Sequence, residues 1–353
     1  MIEFDHTIDE PFELESGAVL NAVKLRCTIY GELNAERSNA VLVFHALTGS
    51  SRIGEWWNGT IGRQKVLDTS KNAFICVNYL GSCYGSTSAR QLKEQDEHNI
   101  TPLVTLRDMV RANGHLFRSL GVKRFKAVIG GSVGGMLALQ HASEFPDSVE
   151  HAISIAATPL SAMGLALNHI QRQAVTAGDL ALARQVAIVS YKSHQQFDAR
   201  HGRKPNRNGE DPHQHGGRFD IGGYLDHQGE VFLQRFEPGS YELILKAMDL
   251  FDLADRDIER IRAKVSLVGI SSDQLFPASD VRALCGRLAD SGVKARYYEM
   301  RSDDGHDAFL SDTYETARVL REVLGGQARS AAAHFLSYRH AKQIAKTLAK
   351  VEL

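Results

Sequence analysis

A serine lies among glycines in the stretch VIGGSVGG, which carries the clearest chemical signal of the chain. Ser132 stands in the pattern G-x-S-x-G between Gly130 and Gly134, after an apolar run and before the helix-like segment MLALQHA. No Lys follows the glycines as in a P-loop, and the G-x-G-x-x-G spacing of a dinucleotide loop is absent. G-x-S-x-G between a strand and a helix is typical of a nucleophile elbow, a strained turn that exposes the serine hydroxyl. The alternative is a glycine-rich turn with an incidental serine.

A serine nucleophile needs a base and an acid, and two later residues stand in the required order. Asp273 follows the apolar run that ends at Ile270, and His306 lies in the loop sequence DGHD. Elbow enzymes carry their partners in the order Ser, then Asp or Glu, then His. The imidazole takes the serine proton, and the carboxylate orients the imidazole and stabilises its charged form. Asp280 and Asp307 are alternative acids, but Asp280 falls inside a predicted helix and Asp307 adjoins His306 itself.

Acyl transfer through a serine also needs amide donors for a tetrahedral oxyanion. One donor is expected from Val133, the residue after the serine, and the other from the loop FHALTGS that follows an early strand. We assign the second donor to Leu47. These two amides form the predicted oxyanion hole.

Short apolar runs alternate with helix-like segments and predict the scaffold that positions these residues. The predicted strands lie at 40–47, 73–80, 125–130, 151–157 and 264–270. Because the runs are continuous, they are typical of parallel strands covered on both faces. Helices are predicted over 101–121, with Pro just inside the start and Gly just past the end, and over 134–146. The succession predicts a mostly parallel, doubly wound α/β sheet.

The alternation of strands and helices stops between residues 160 and 260. One long helical segment is followed there by a polar stretch with few apolar residues. We predict a mostly helical cap insertion over 158–262, carried on a core domain formed by 1–157 and 263–353. Residues 327–353 predict a basic amphipathic helix that packs on the domain or on a second subunit.

Composition narrows the class of protein. A chain of 353 residues with 43% hydrophobic residues can bury a sizeable core, and a net charge of −1 favours neither nucleic acid nor an anionic membrane as partner. The four cysteines form no CxxC pair, and no signal peptide or membrane span is recognisable. We therefore expect a cytoplasmic protein. Five histidines between 194 and 227 match no metal-ligand spacing, so no metal is expected.

Nine stretches, in order from about residue 40 to 310 and including those already described, form a set that is more specific than any one of them. They are HALTGS, EWW, VNYLGSCYGSTS, GGSVGGM, NHIQRQAV, GYLDHQGE, AMDLFD, GISSDQLFP and DGHDAFL. Together they resemble the homoserine O-acetyltransferase family, whose members are acyltransferases of the α/β-hydrolase fold. The resemblance implies that Ser132 takes an acetyl group from acetyl-CoA and passes it to the hydroxyl of L-homoserine, in methionine biosynthesis. It also implies a homodimer built through the helical insertion, and no bound cofactor.

The resemblance extends to the substrate-binding residues. By matching motif position, it implies that Arg172 holds the substrate carboxylate, a task suited to a planar guanidinium. It implies that Tyr224 and Asp307 contact the amino-acid end, with Asp307 near the ammonium.

Several alternatives stay open. After GSTS this chain reads ARQL, where many relatives have Gly-Pro-Ser, so succinyl-CoA as donor and serine as acceptor are the alternatives within the family. A hydrolase or esterase of the same fold is the nearest competitor, although it needs no amino-acid clamp. A non-catalytic ligand-binding protein is the other, although it can dispense with the nucleophile or the base.

Overall fold

The computed structural model describes residues 1–325, so the helix predicted over 327–353 lies outside the described residues. The strands of the described range lie before residue 156 and between residues 264 and 300. They are β1 (Ile2–Ile8), β2 (Phe12–Glu13), β3 (Val19–Leu20), β4 (Val23–Tyr30), β5 (Ala40–Phe44), β6 (Ile61–Gly62), β7 (Leu67–Asp68), β8 (Ala73–Val77), β9 (Ala127–Gly131), β10 (His151–Ile155), β11 (Lys264–Ile270) and β12 (Ala295–Met300).

Eight of these strands form the central sheet, in the order β1-β4-β8-β5-β9-β10-β11-β12. The six strands from β8 to β12 along this order pair in parallel, whereas β1 and β4 add an antiparallel edge. The prediction of a mostly parallel α/β sheet is confirmed, and each of the five predicted strands is present within a few residues. The antiparallel edge was not predicted, because the alternating polar sequence of β1 lacks the apolar run used to find the others.

Helices connect the strands and cover the sheet. They are α1 (Ile53–Trp56), α2 (Ala89–Glu94), α3 (Leu106–Ser119), α4 (Val133–Glu144), α5 (Ala162–Thr176), α6 (Leu180–Tyr191), α7 (His194–Arg200), α8 (Asp220–Leu233), α9 (Pro238–Asp249), α10 (Asp255–Ile258), α11 (Ala278–Asp290), α12 (Ala308–Ser311) and α13 (Thr313–Val323). Within residues 1–325, no helix has the length and apolar character needed to cross a membrane.

The start of α3 differs from the prediction of a helix over 101–121. Thr105 caps the helix, because its side chain accepts a hydrogen bond from the Asp108 N–H at 3.1 Å while Asp108 accepts one from the Thr105 N–H at 2.9 Å. This reciprocal capping box sets the first turn, so the preceding proline lies outside the helix.

The core has two layers because alternate residues of each strand point to opposite faces of the sheet. In β5, Leu42 and Phe44 pack into one hydrophobic cluster, together with residues of α3 and α4. Val41 and Val43 pack into the other, together with residues of α13. The sheet is thus buried on both sides, which keeps the carboxyl ends of its strands in fixed positions.

The segment from α5 to α9 is mostly helical, as expected for the predicted insertion over 158–262. The single helix expected there is two helices, α5 and α6, since Gly178 adopts φ +83° and Asp179 caps the second helix. The boundaries of a cap domain at 158 and 262 remain predictions.

Candidate active site

Ser132 occupies the sharp turn between β9 and α4. Its backbone has φ 59° and ψ −131°, a conformation that a residue other than glycine adopts only when its surroundings impose it. The N–H of Ser132 donates to the carbonyl of Ile155 on β10 at 2.9 Å, which ties the turn to the sheet. The side chain makes no hydrogen bond with any residue of the described chain and borders a cavity. This is the geometry expected of a nucleophile elbow.

Two flanking glycines make the turn possible. A Cβ atom at Gly130 would overlap the carbonyl group of Gly134, and one at Gly134 would overlap the carbonyl oxygen of Phe44 at the end of β5. The strand, the turn and the helix approach each other so closely that no side chain fits at either position.

Asp273 and His306 form a buried pair. Nδ1 of His306 lies 2.7 Å from Oδ2 of Asp273, and the other carboxylate oxygen accepts the N–H groups of Leu275 and Phe276 at 2.9 Å each. Because the carboxylate can only accept, Nδ1 carries the proton and Nε2 has the free lone pair. Nε2 is buried without a partner among the described residues, and His306 borders the same cavity as Ser132.

The charge state of His306 follows from two opposing effects. Burial disfavours the charged imidazolium, but the negative charge of Asp273 and its hydrogen bond outweigh burial, so the pKa of His306 lies above its ordinary value. The structure therefore pairs Asp273 with His306 and places Ser132 and His306 on the wall of one cavity. Their catalytic roles remain predictions.

The two predicted oxyanion donors lie at the same end of the sheet. Leu47 follows β5 in a turn and borders the cavity, and Val133 is the first residue of α4. Neither amide N–H has an acceptor among residues 1–325. Both are thus available to an oxyanion formed beside Ser132.

The cavity beside Ser132 has a volume of about 730 Å³, within the range of small-molecule sites. It is bordered by the loop after β5, by the end of β8 and the loop after it, by α6 and by the segment around His306. Polar and charged residues on its wall include Arg26, Arg52, Asn78, Tyr84, Arg184, Tyr191, Arg235 and Asp307.

The arginines of this wall fall into two groups. Arg26 and Arg52 are already paired with carboxylates of β1, Arg26 with Asp5 and Arg52 with Glu3. Arg184 and Arg235 have no carboxylate partner within the described chain, and each lies over the ring of Phe232 at about 5 Å. These two cations are therefore free to bind an anionic group.

Two predicted substrate residues lie elsewhere. Arg172 on α5 pairs with Asp249 of α9 inside the helical segment, and Tyr224 on α8 lies against the ring of His201, 4.8 Å away. Neither borders the cavity of Ser132. The structure does not bring Arg172 and Tyr224 to the cavity of Ser132, because the packing of α5, α8 and α9 directs both side chains to other helical partners.

Arg184 and Tyr191 are the cavity residues that the sequence reasoning missed. They lie seven residues apart on α6, on one face of the helix, and the Tyr191 ring is 5.5 Å from that of His306. Removal from bulk water raises the pKa of Tyr191 to about 12, so its hydroxyl stays protonated and can donate a hydrogen bond. The sequence pattern that could have identified them is an arginine and a tyrosine seven residues apart, about two helical turns, in ALARQVAIVSY.

Asp307 borders the cavity beside His306, and its contact with the amino-acid end of a substrate remains a prediction. Its Oδ2 lies 2.8 Å from Nζ of Lys192, the residue directly after α6. The wall beside His306 therefore presents a carboxylate that already has a cationic partner.

The polar stretch after α6 contains no metal site within the described residues. His201 is buried, and its Nδ1 lies 2.8 Å from the buried carboxylate of Asp220. That pair anchors the loop before α8.

Comparisons with known proteins agree with this geometry. The α/β hydrolase fold family matches residues 39–313. A homoserine O-acetyltransferase of Acidiphilium cryptum is 37% identical over 90% of this chain and 94% of its own length. A homoserine O-succinyltransferase of Alkalilimnicola ehrlichii is 34% identical over 92% of this chain and 95% of its own length.

Solved structures show the same fold. A homoserine O-acetyltransferase of Bacillus anthracis superposes with a TM-score of 0.82 at 22% identity, covering 92% of this chain and 98% of the other. An esterase, E22, superposes with a TM-score of 0.79 at 21% identity, covering 92% of this chain and 100% of the other. The fold by itself therefore does not separate transferases from esterases. The relatives that are 34–37% identical along almost their whole length are acyltransferases of homoserine and not esterases. This chain belongs to the homoserine O-acetyltransferase family.

Proposed function

We propose that this protein transfers an acetyl group from acetyl-CoA to the side-chain hydroxyl of L-homoserine through an acyl-Ser132 intermediate. The observation that carries the proposal is Arg184, a cation without a carboxylate partner on the wall of the cavity that Ser132 and His306 share. An esterase that uses water has no need of such a group. An amino-acid acceptor needs a cation for its carboxylate.

The first half-reaction loads the serine. Nε2 of His306 takes the hydroxyl proton of Ser132 as its oxygen attacks the thioester carbonyl, and Asp273 stabilises the resulting imidazolium. The amides of Leu47 and Val133 donate to the oxyanion of the tetrahedral intermediate. The C–S bond then breaks, His306 protonates the leaving thiolate, and CoA departs.

The second half-reaction uses the amino acid in place of water. Arg184 holds the α-carboxylate, and Asp307 lies on the side of His306 where the α-ammonium is received. The ring of Tyr191 lies 5.9 Å from the Arg184 guanidinium and 5.5 Å from the His306 ring, so this side chain borders the place of the acceptor. His306 takes the proton of the homoserine hydroxyl as it attacks the acyl-serine, and returns that proton to Ser132 when the ester bond breaks. Because Arg184 and Asp307 hold the amino acid at two points, its hydroxyl is oriented for attack and reacts with the acyl-serine faster than water does.

A succinyl donor is the second candidate, and Arg235 is the observation in its favour. A succinyl group carries one carboxylate more than an acetyl group, and Arg235 is a second cavity cation without a carboxylate partner among the described residues. Its guanidinium donates to the Thr48 carbonyl and the Tyr84 hydroxyl at 3.0 Å each, which leaves other N–H groups free. Under the acetyl proposal these N–H groups serve another part of the CoA molecule.

We also propose a cytoplasmic homodimer. The support is a set of exposed apolar side chains on α5, α6 and α8, a composition that suits a subunit interface. The set comprises Met163, Leu165, Ile170, Leu182, Val189, Val231 and Leu233. Light scattering on the purified protein measures the subunit number, and a monomer at micromolar concentration contradicts this part of the proposal.

One experiment tests the reaction and its alternatives. The protein is incubated with acetyl-CoA or succinyl-CoA, then with homoserine, serine or buffer alone, and the products are identified by mass. The proposal expects O-acetylhomoserine as the main product. O-succinylhomoserine supports the second candidate, and free acid released equally fast with and without an amino acid identifies a hydrolase. No reaction of either thioester, with binding intact, identifies a ligand-binding protein.

A further inference from the structure

The carboxylate of Asp307 already has a cation beside it in the structure. Nζ of Lys192 lies 2.8 Å from Oδ2 of Asp307, and the two side chains are only 15% and 24% exposed. In the proposed function, this carboxylate receives the α-ammonium of the acceptor. The protein therefore supplies an ammonium of its own at the place where the substrate brings one.

The backbone around Lys192 is held against the segment that carries His306. Gly305 has φ +71°, and a Cβ there would lie 2.5 Å from the carbonyl oxygen of Tyr191 and 2.6 Å from the amide nitrogen of Ser193. The Ser193 hydroxyl also donates to the carbonyl of Asp303. Because the chain is fixed on both sides of Lys192, its side chain is the part that can move.

Once an amino acid binds, this end of the cavity holds three positive charges and two negative ones, so one cation is left without a carboxylate of its own. Arg184 and Lys192 bring two positive charges and Asp307 brings one negative charge, whereas an amino acid brings one of each. Arg184 is free for the carboxylate. The ammonium then meets a carboxylate that Lys192 occupies, and two ammonium groups on one carboxylate repel each other. Lys192 therefore has to move away from Asp307 or share its carboxylate with the ammonium of the amino acid.

We propose that Lys192 holds the place of the acceptor's ammonium beside Asp307 while Ser132 is being acylated, and yields that place when the amino acid binds. The inference rests on the proposed function, in which the acceptor is an amino acid. Lys192 touches none of the reacting atoms; it is a positioning residue that acts through Asp307. It thereby sets how strongly the site selects for an acceptor with an ammonium group.

The positive charge of Lys192 also acts on His306, the proposed base. The titratable groups around His306 are Asp273, Asp307, Lys192 and Tyr191. Burial lowers the pKa of His306, the charges of Asp273 and Asp307 raise it, and the charge of Lys192 lowers it. Without Lys192 the charge of Asp307 is uncompensated before the acceptor arrives. The pKa of His306 then rises, and less of the neutral base is present at a given pH on the acid side.

Replacing Lys192 with methionine tests the proposal in two independent ways. We expect Lys192→Met to lower the KM for homoserine about 2- to 5-fold, the range of effects of a partly exposed ion pair. It should not lower the KM for 4-hydroxybutyrate, which has the same hydroxyl and carboxylate but no ammonium. The acid limb of the pH profile for CoA release, measured without acceptor, should move to higher pH.

Two variants serve as controls. Lys192→Arg keeps the charge and should restore both the KM for homoserine and the position of the acid limb. Lys294→Met removes an exposed lysine outside the cavity and should change neither. Thermal unfolding of each variant shows that it is folded.

The outcomes separate the inference from the function on which it rests. An unchanged or higher KM for homoserine in Lys192→Met, an equal fall for 4-hydroxybutyrate, or an acid limb that stays in place overturns the placeholder role. A wild-type protein that releases CoA but acylates no amino acid refutes the proposed function instead. The pH profile of CoA release needs no acceptor, so it still decides whether Lys192 balances the charge beside His306.

Discussion

Replacing Arg184 with lysine separates acceptor binding from the chemistry at Ser132. Arg184→Lys keeps the positive charge but removes the planar pair of N–H donors that grips a carboxylate. The guanidinium has no carboxylate partner among the described residues, so no internal ion pair is lost with it. What is lost is a charge-assisted hydrogen bond to the substrate, worth about 1.5–3 kcal/mol. This corresponds to a roughly 10- to 150-fold fall in kcat/KM for homoserine.

The assay follows each half-reaction by itself. Rapid mixing with acetyl-CoA measures the burst of CoA release, and mass spectrometry of the peptide that contains Ser132 measures its acylation. Addition of homoserine then measures deacylation. We expect the burst and the slow hydrolysis of the acyl-enzyme to be unchanged, since neither uses the acceptor carboxylate. Part of the loss should appear in kcat, because the carboxylate also positions the attacking hydroxyl.

Arg172→Lys is the matched control. Arg172 also lies on a helix of the same segment, but it pairs with Asp249 and does not border the cavity. A lysine can keep that ion pair, so we expect kcat/KM for homoserine within about 2-fold of wild type. If Arg172→Lys impairs deacylation and Arg184→Lys does not, the assignment of the carboxylate clamp is wrong. If Arg184→Lys slows the burst as much as the transfer, Arg184 serves the CoA side or the fold.

Three further outcomes test the site. Ser132→Ala should lower acyl transfer at least about 1,000-fold while leaving the unfolding temperature nearly unchanged, because the hydroxyl makes no hydrogen bond within the described chain; substantial transfer by the folded variant excludes the acyl-serine. Wild-type acylation should fall as the pH drops through the raised pKa of His306. In Asp273→Asn the residual activity should persist to lower pH, because the charge that raises this pKa is gone. An acid limb of the pH profile that stays in place argues against the Asp273–His306 pair. Gly134→Ala should lower the free energy of unfolding by about 1–3 kcal/mol, because its Cβ meets the carbonyl of Phe44, and denaturant unfolding that matches wild type contradicts this packing.

The catalytic candidates could be read from the sequence because each has a local signature. Ser132 stands between glycines where a continuous apolar run changes to a helix, and Asp273 directly follows another such run. Carboxyl ends of parallel strands meet at one edge of a sheet, so chain order alone places these groups near each other. The apolar runs predicted the parallel strands for the same reason: strands buried on both faces contain few polar residues.

The substrate-binding residues could not be read in this way. Arg172 and Arg184 lie on neighbouring helices, and each stands in a helical sequence that alternates apolar and polar residues. Nothing local tells which of the two faces Ser132. Which arginine faces Ser132 is decided by the packing of α5 against α9, where Arg172 forms an ion pair with Asp249, and by the contact of the end of α6 with the segment around Gly305.

By itself, the sequence determined the parallel part of the sheet, the glycine-flanked turn at Ser132 and the chain order of the candidate nucleophile, acid and base, because these depend on residues adjacent in the chain or on strand ends that must meet. The tertiary structure alone decided that Arg184 and Tyr191, rather than Arg172 and Tyr224, share a cavity with Ser132 and that Lys192 pairs with the carboxylate of Asp307. The physical reason is that side-chain charges find their partners across helix contacts. Those contacts depend on the packing of the whole chain, which no local pattern encodes.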